Sequence, residues 1–241
     1  HADIHEIAYR PGSSNQLLIG TDGGVFYTEN ANNNAPVFQQ RNHAFSTLQF
    51  YTCDIAPQTS PQMFVGGLQD NGTLYYTGNP LTINDMIDGG DGAYCFFDRN
   101  DVNGVLITSV YYNSYTFFYD FGANSNSGGT NSGIFINPAD YNSNTNMLFA
   151  NAMMFNGNYQ DQLLKISGIP NNPVTTFVNV NSGATTPFSC AKVSPHSPVN
   201  TTTLFLGTQN GQVFKVTNAQ ATPVSTEITG SSFPPGNISS I

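Results

Sequence analysis

Short stretches in which apolar and polar residues alternate recur along this chain, and a turn follows each of them. Alternation with a period of two residues is typical of a β-strand that is buried on one face. The five stretches are HEIAYRP (5–11), YTCDIAP (51–57), AYCFFDR (93–99), GIFINPAD (133–140) and SCAKVSP (189–195). Aligned on Pro11, Pro57, Arg99, Pro138 and Pro195, they lie 46, 42, 39 and 57 residues apart.

A second strand pattern follows each of these stretches, and in three repeats a tight turn and a third strand pattern come next. The second strands are LLIGT (17–21), MFVGG (63–67), VLITS (105–109), MLFAN (147–151) and LFLGT (204–208), and the third strands lie in DGGVFYT (22–28), DNGTLYYT (70–77) and NGQVFKV (210–216). Asp-Gly, Asn-Gly and Gly-Gly are strong signals for a β-hairpin. A variable polar stretch ends each unit.

Units of about 40–50 residues with three or four antiparallel strands are typical of β-propeller blades. We therefore expect an all-β fold, a β-propeller with about five blades visible, as a fragment of a larger propeller of seven or eight blades. The predicted blades are 1–46, 47–88, 89–129, 130–184 and 185–236, with 237–241 starting a further blade. A β-sandwich is the alternative, but it would not explain the period.

The three cysteines support this alignment. Cys53 and Cys95 lie four residues before the aligned turn residue, in a position that Ile7 and Ile134 share, and Cys190 lies five residues before Pro195. Free cysteine commonly behaves as a small buried hydrophobe. We therefore expect structural thiols in a small buried site near the propeller axis, in preference to metal ligands or disulfides.

Composition narrows the class of protein. Of 241 residues only six are Lys or Arg, against fifteen Asp or Glu, which gives a net charge of -9. This balance argues against a nucleic-acid partner, which requires clustered basic residues. No apolar run reaches the roughly 20 residues that a transmembrane segment needs. Gly, Asn, Ser and Thr replace the usual surface Lys and Glu, which is typical of extracellular β-proteins, so we expect a secreted or cell-surface location.

Candidate ligand-binding residues gather at one end of the predicted blades. In a propeller, the loop into the first strand and the turn between the second and third strands lie on the same face, here called the top face, where ligands usually bind. In HADIHE, His1, Asp3 and His5 alternate along one strand face. The top face is expected to hold Asp3, His5, Asp22, Asp70, Asp88 and Asp91, with the amides Gln49, Gln69 and Asn71.

Such a polar, acidic surface suits sugars or a cation. Asp and Asn before Gly are also common in turns for conformational reasons alone, and that interpretation stays open. DGGDG (88–92) supplies the oxygens that Ca²⁺ prefers but lacks the spacing of a known calcium loop. We expect no obligatory cofactor, with Ca²⁺ as a candidate ligand.

The sequence also resembles a known family. HADIHEIAYRP, IGTDGGVFYT, LQFYTCDIAP, VGGLQDNGT and GDGAYCFFD are similar to the BNR/Asp-box propellers of the sialidase and sortilin-type superfamily. The closest likeness is to large bacterial surface proteins associated with type IX secretion. This resemblance implies a bacterial protein, secreted or on the cell surface, with additional domains in the same polypeptide.

The xyloglucanase-like branch of that superfamily is similar at one turn. Its catalytic Asp lies in an Arg-Thr-Asp-x-Gly-Gly-x-Tyr turn, and Thr21-Asp22-Gly23-Gly24-Val25-Phe26-Tyr27 is similar but shorter and without the Arg. The resemblance implies that Asp22 is a catalytic carboxylate, with Asp70 or Asp91 as its partner acid. A separation of about 6.5–9.5 Å between the two carboxyl groups would suit an inverting glycosidase.

Three hypotheses for function follow. The leading one is an extracellular, non-catalytic binding or adhesion module that recognises a polysaccharide or a surface protein through its top face. The alternative is a glycoside hydrolase of the xyloglucanase-like type. The third is a structural component of a cell-surface assembly.

Overall fold

The fold was analysed in a computed structural model. It describes residues 3–43, 48–57, 62–76, 78, 85–100, 104–120, 122–154, 156–158 and 161–241. His1, one member of the predicted ladder, lies outside the described residues. The described residues contain no helix with the length and apolarity that a bilayer crossing requires.

Twenty strands in the described residues form five antiparallel sheets of four strands each, and in every sheet the strands pair in chain order. This is the blade pattern of a β-propeller, so the predicted fold class is confirmed. The sheets are β1 (Ile4–Tyr9), β2 (Leu17–Thr21), β3 (Gly24–Thr28) and β4 (Gln39–Gln40); β5 (Phe50–Ile55), β6 (Phe64–Leu68), β7 (Gly72–Tyr76) and β8 (Asp85–Asp88); β9 (Cys95–Phe97), β10 (Leu106–Ser109), β11 (Asn113–Tyr119) and β12 (Asn124–Thr130); β13 (Ala139–Asn142), β14 (Met147–Asn151), β15 (Gln162–Ser167) and β16 (Val174–Asn179); and β17 (Phe188–Val193), β18 (Leu204–Thr208), β19 (Val213–Thr217) and β20 (Val224–Glu227). We refer to them as blades 1 to 5.

The outermost strand of each blade lies in the region that the sequence pattern described only as polar and variable. β12, with the sequence NSNSGGT, pairs with β11 over seven residue pairs although it has no apolar side chain. Backbone hydrogen bonds to the third strand are sufficient to hold an edge strand, and its side chains stay largely in solvent. Hydrophobic alternation therefore could not reveal it.

The first strand of blade 4 corrects the sequence alignment. The stretch GIFINPAD was predicted to form this strand, but β13 begins at Ala139, after Pro138. Ile134 instead lies in the preceding loop, where its N–H donates a hydrogen bond to the buried side chain of Asn137 at 2.9 Å. Ala139, which pairs with Ala150, occupies the place that Cys95 takes opposite Thr108 in blade 3. The proline therefore precedes this strand and does not follow it.

Buried apolar clusters join successive blades face to face. Blade 2 packs on blade 3 through residues that include Val65, Phe97 and Leu106. Blade 3 packs on blade 4 through a larger cluster around Phe117 and Leu148. Blades 4 and 5 share a third cluster, formed by Phe149, Leu163, Val180, Phe188, Leu204, Leu206, Phe214, Val216 and their neighbours. This packing fixes the relative positions of the blades and hence of the loops at their ends.

The cysteine prediction holds for two of the three thiols. Cys53, Cys95 and Cys190 all line one cavity of about 690 Å³ along the first strands of blades 2 to 5. Cys95 and Cys190 are buried, and burial raises the pKa of the Cys95 thiol to about 11. Cys53 is exposed, and so is Ile7 at 51%. The prediction of burial is wrong for these two residues, because Ile7 lies on β1, which is exposed along its whole length, and Cys53 lies at an exposed position of β5.

Two carboxylates tie neighbouring first strands together in the same way. Asp54 on β5 accepts a hydrogen bond from the Phe97 N–H at 2.8 Å and pairs with the Arg99 guanidinium. Asp140 on β13 accepts from the Val193 N–H at 2.7 Å and lies 3.0 Å from the Lys192 ammonium. The two aspartates occupy equivalent positions in their blades, opposite Val65 and Phe149.

The segment 237–241 contacts blade 5 in the way that the chain entering blade 3 contacts blade 2. The Ser189 hydroxyl donates to the Ile238 carbonyl at 2.8 Å, as the Thr52 hydroxyl does to the Ala93 carbonyl at 2.8 Å. That a further blade begins at this point stays a prediction.

Candidate functional site

A β-bulge recurs at the start of the first strand in blades 1, 2 and 5. The strand pairing skips from Ile4 to Glu6, from Phe50 to Thr52 and from Phe188 to Cys190, which leaves His5, Tyr51 and Ser189 as the extra residues. These three residues hold the same place in the repeat, six positions before the aligned turn residue. A bulge redirects a side chain away from ordinary strand alternation. In blades 1 and 2 it brings His5 and Tyr51 close to carboxylates of the top face.

Asp22 lies in the turn between β2 and β3, and side chains hold that turn in place. The Asn42 amide donates to the Gly23 carbonyl at 2.8 Å and accepts from the Val25 N–H at 2.7 Å. The Thr21 hydroxyl accepts a hydrogen bond from the Gly23 N–H at 3.1 Å. The turn therefore presents the Asp22 carboxylate from a defined backbone position.

His5 contacts Asp22 directly. Its Nε2 atom lies 2.6 Å from Oδ1 of Asp22. The hydrogen bond to Asp22 and the charge of that carboxylate raise the pKa of His5 above its ordinary value of 6.5, and the charges of Asp3 and Asp70 act in the same direction. The protonated imidazole is thus favoured where several carboxylates surround it.

The 88–92 loop positions Asp70 and Asp91. This loop crosses the turn between β6 and β7, with a hydrogen bond from the Gly72 N–H to the Gly90 carbonyl and another from the Gly92 N–H to the Leu68 carbonyl, both at 2.9 Å. Between these two bonds, Oδ1 of Asp91 accepts a hydrogen bond from the Asp70 N–H at 2.5 Å. The two predicted carboxylates are therefore brought together by backbone packing.

Three carboxylates from two blades and the chain start form an acidic cluster, defined here as Asp3, Asp22 and Asp70. One oxygen from each lies within 4.8 Å of the others. Asp3 precedes β1 with φ of 52°, so it reaches the cluster from outside the strand and the predicted strand ladder is broken there. Burial is the largest cause of the raised pKa of Asp70, and the charges of Asp22, Asp91 and Asp3 raise it further.

An aromatic residue, Tyr111, also lies in this part of the top face. Asp70 and Asp91 line a cavity of about 570 Å³ together with Tyr111, which lies in the turn between β10 and β11. Tyr51 also lies near Asp91 and Asp70. Burial is the largest cause of its raised pKa, and the charges of these two carboxylates raise it further. Sequence analysis did not propose Tyr111. Its signal is the pair Tyr111-Tyr112, which occupies the turn that holds Asp22 in blade 1 and Asp70 in blade 2.

The remaining predicted residues lie near the acidic cluster without joining it. Gln49 supplies its backbone carbonyl to the Gln69 N–H at 3.0 Å. The Asn71 amide donates to the Gln69 carbonyl at 2.8 Å, which is an interaction within the turn. Asp88 accepts a hydrogen bond from the Thr108 hydroxyl at 2.6 Å, which ties blade 2 to blade 3.

The acidic cluster has the donor type that a hard cation requires, since carboxylate oxygens are the ligands that Ca²⁺ prefers. The predicted calcium loop at 88–92 has another arrangement: Asp88 and Asp91 accept hydrogen bonds from Thr108 and from the Asp70 N–H. Neither belongs to the group of three carboxylates whose oxygens lie within 4.8 Å. A calcium ion therefore stays a prediction.

The same distances bear on the catalytic hypothesis. An inverting glycosidase needs about 6.5–9.5 Å between its two carboxyl groups to admit a water molecule. An oxygen of Asp22 and an oxygen of Asp70 lie within 4.8 Å of each other. The assignment of Asp22 as a catalytic carboxylate, with Asp70 or Asp91 as its partner acid, stays a prediction.

Comparison with solved structures supports the fold. An ancestral GH74 enzyme aligns with 93% of this chain at 15% identity and a TM-score of 0.56, and 33% of that enzyme is covered. The GH74 enzyme of Niastella koreensis aligns with 91% of this chain at 12% identity and a TM-score of 0.55, and 30% of it is covered. BBS1N, solved in complex with ARL6DN, aligns with 90% of this chain at 10% identity and a TM-score of 0.55, and 65% of that chain is covered.

These comparisons define a β-propeller fold and nothing finer. The chain spans about a third of the length of the two GH74 enzymes. Because BBS1N matches as well as they do, the likeness does not select a function. No protein-family model matches the chain, and no curated protein matches it.

Proposed function

We propose that this chain is a carbohydrate-binding part of a β-propeller protein, which recognises a polysaccharide through its top face. The observation that carries the proposal is the cavity of about 570 Å³ that Asp70, Asp91 and an aromatic residue, Tyr111, line together. Its size falls in the range of small-molecule sites, which combine apolar walls with a few convergent polar groups.

The chemistry of this cavity fits a sugar. Carboxylate oxygens accept hydrogen bonds from hydroxyl groups, and ionised acceptors make the stronger hydrogen bonds. An aromatic ring offers an apolar surface to the C–H face of a sugar ring. The Asp70 N–H holds Asp91 in place, so the site is organised before a ligand arrives.

Binding of immobilised glycans by the intact protein tests the proposal. We expect at least one neutral polysaccharide to bind, and Asp70→Ala to weaken that binding by about tenfold or more. Asp85→Ala is the matched control, because Asp85 is an exposed aspartate on the outer strand of the same blade. Failure of every glycan to bind, or equal binding by the two variants, would overturn the proposal.

An extracellular location belongs to the same proposal. The low content of charged residues, 9%, and the abundance of Gly, Asn, Ser and Thr support a protein that is secreted or displayed on a bacterial surface, as an adhesion module would be. Detection of the protein in the culture medium or on intact cells by antibody tests this part. Recovery only from the interior of lysed cells would contradict it.

A second candidate is a glycoside hydrolase. It is favoured by the contact of His5 with Asp22 at 2.6 Å, which orients one carboxylate, beside Asp70, whose raised pKa suits a proton donor. The GH74 neighbours support this candidate only at the level of fold. In this case every glycan that binds would also be cleaved, with release of reducing ends.

The two functions differ in one measurement. Hydrolysis predicts that Asp22→Ala abolishes the release of reducing sugar. Binding alone predicts no release by the wild-type protein and a glycan affinity within about threefold of wild type after Asp22→Ala. Release that persists unchanged in Asp22→Ala would contradict the role of this residue.

A further inference from the structure

Three aromatic residues from blades 3 and 4 form a compact group at the top face. The rings of Tyr111 and Phe135 are stacked, with centroids 5.8 Å apart and planes within 6°. Tyr112 meets both rings edge-on, at 5.7 Å and 6.0 Å. Edge-to-face and offset-stacked arrangements are the favourable geometries for aromatic pairs.

The backbone holds this group in one arrangement. Tyr112 has φ of 55°, which is uncommon for a residue with a bulky side chain. Its N–H donates a hydrogen bond to the Phe135 carbonyl at 2.8 Å, which connects the two blades. The rings therefore do not have to be ordered when a ligand binds, and the entropic cost of ordering them on binding is small.

The same rings stay accessible to solvent. Tyr111 is 44% exposed and Phe135 is 47% exposed. Exposed apolar surface that is held rigidly next to polar cavities is typical of a binding site.

Tyr111 connects two cavities. One is the cavity of about 570 Å³ with Asp70 and Asp91. The other, of about 480 Å³, contains polar residues that include Asn113 and Thr130. Because Tyr111 lines both cavities, it is a residue that a ligand occupying both of them would contact.

The charges at these cavities select among ligands. The described residues that line them include two carboxylates and no Lys or Arg. An anionic polymer would be repelled by these carboxylates, since the described lining residues include no Lys or Arg to pair with it. A neutral polysaccharide has hydroxyl groups that can donate hydrogen bonds to the carboxylates. The apolar C–H faces of its sugar rings can pack on the aromatic surface.

We propose that Tyr111 is a stacking platform for a sugar ring, and that the ligand is a neutral polysaccharide bound as a chain that spans both cavities. This inference rests on the proposed carbohydrate-binding function and deepens it. Phe135 and Tyr112 are positioning residues, because they hold the Tyr111 ring through ring contacts and the inter-blade hydrogen bond.

Chain-length dependence of affinity tests this inference. Isothermal titration of the intact protein with β-1,4- and β-1,3-linked glucose oligosaccharides, from dimer to hexamer, should show affinity that rises with length in at least one series. Tyr111→Ala should remove this rise and weaken binding of the longest oligosaccharide by about tenfold, while binding of the shortest stays within about threefold. Tyr111→Phe, which keeps the ring, should bind like the wild type.

Tyr9→Ala is the matched control, because Tyr9 is an exposed tyrosine at the opposite end of β1. Polygalacturonate, an anionic polysaccharide, should not bind. If the wild type binds and Asp70→Ala weakens it, but Tyr111→Ala keeps the full length dependence, this inference fails while the proposed function stands. If the wild type binds none of these oligosaccharides, this inference fails, and if it also binds no immobilised glycan, or binds only a lysine-rich peptide through Tyr111, the proposed function fails with it.

Discussion

Nε2 of His5 lies 2.6 Å from Oδ1 of Asp22, and this contact joins the bulge at the start of β1 to the turn between β2 and β3. Seventeen residues separate the two side chains along the chain, yet both belong to the same end of one blade. The contact places a titratable base within an otherwise acidic part of the top face.

The first prediction concerns the pKa of His5. NMR titration of the imidazole signals should give a value above 6.5, and Asp22→Asn should move it back towards 6.5, since Asp22 supplies the largest contributions. His5 is fully protonated below its ordinary pKa of 6.5, and its charge is lost as the pH rises through the raised pKa. Glu227→Gln, on β20 of blade 5, is the control and should leave His5 unchanged. A wild-type value at or below 6.5 would contradict the contact.

The second prediction concerns repulsion within the acidic cluster. Asp70→Asn should raise the melting temperature at neutral pH by about 1–2 °C, because it removes one of several like charges. Asparagine tolerates the φ of 58° at this position and can donate to Asp91.

The pH dependence gives the sign of this effect. The pKa of Asp70 is raised in the folded protein, so the folded state gains stability from its protonation and loses that gain as the pH rises. The advantage of Asp70→Asn should therefore disappear below about pH 3.8, the ordinary pKa of this carboxyl group. High salt should also reduce it. Differential scanning calorimetry over this range measures both, and an advantage that grows at low pH would refute the explanation.

The third prediction concerns the 88–92 loop. A Cβ atom at Gly92 would lie 2.0 Å from the Gly72 carbonyl oxygen, so Gly92→Ala forces the loop away from the β6–β7 turn. We expect a loss of about 1–3 kcal/mol in unfolding free energy. Gly89→Ala is the matched control, because a Cβ there has no neighbour within 4 Å. Denaturant titration compares the two, and equal stabilities would show that the loop does not depend on this close approach.

The fourth prediction concerns a buried network of asparagines between blades 3, 4 and 5. The Asn151 amide donates to Asn137 at 3.0 Å, and its Oδ1 accepts from the Met153 N–H at 3.1 Å and from the Phe188 N–H at 3.2 Å. Asn151→Ala leaves these buried groups without partners and should cost about 2–4 kcal/mol. Asn34→Ala, at an exposed position, should change the unfolding free energy by less than about 0.5 kcal/mol. A small effect of Asn151→Ala would mean that water replaces the lost contacts.

Much of the fold could be predicted from the chain. LLIGT, MLFAN and LFLGT coincide with β2, β14 and β18 residue for residue, because second strands are apolar and end at turns. β12 could not be found, since it carries no apolar alternation. β13 was misplaced, since Pro138 precedes its strand whereas the other aligned prolines follow theirs.

The site was predicted in part. Repeat alignment placed His5, Asp22, Asp70 and Asp91 at one end of the fold, and the structure brings them together there. Gln49 and Asp88 occupy the predicted region, but their bonds serve the backbone and the neighbouring blade. Tyr111 was missed because only acidic and amide residues were considered in these turns, although the pair Tyr111-Tyr112 occupies the equivalent turn of blade 3.

The sequence by itself determined the all-β class and the succession of strands and turns, because local hydrophobic alternation and turn residues depend only on neighbours along the chain. It also indicated which residues occupy equivalent places in successive repeats, except at the first strand of blade 4. Only the tertiary structure decided that Asp3, Asp22 and Asp70 meet within 4.8 Å and that Tyr111 lines a cavity with Asp91. Distances between residues of different blades depend on how whole sheets pack against one another, and a bulge, a glycine contact or a strand start can shift them by several ångströms.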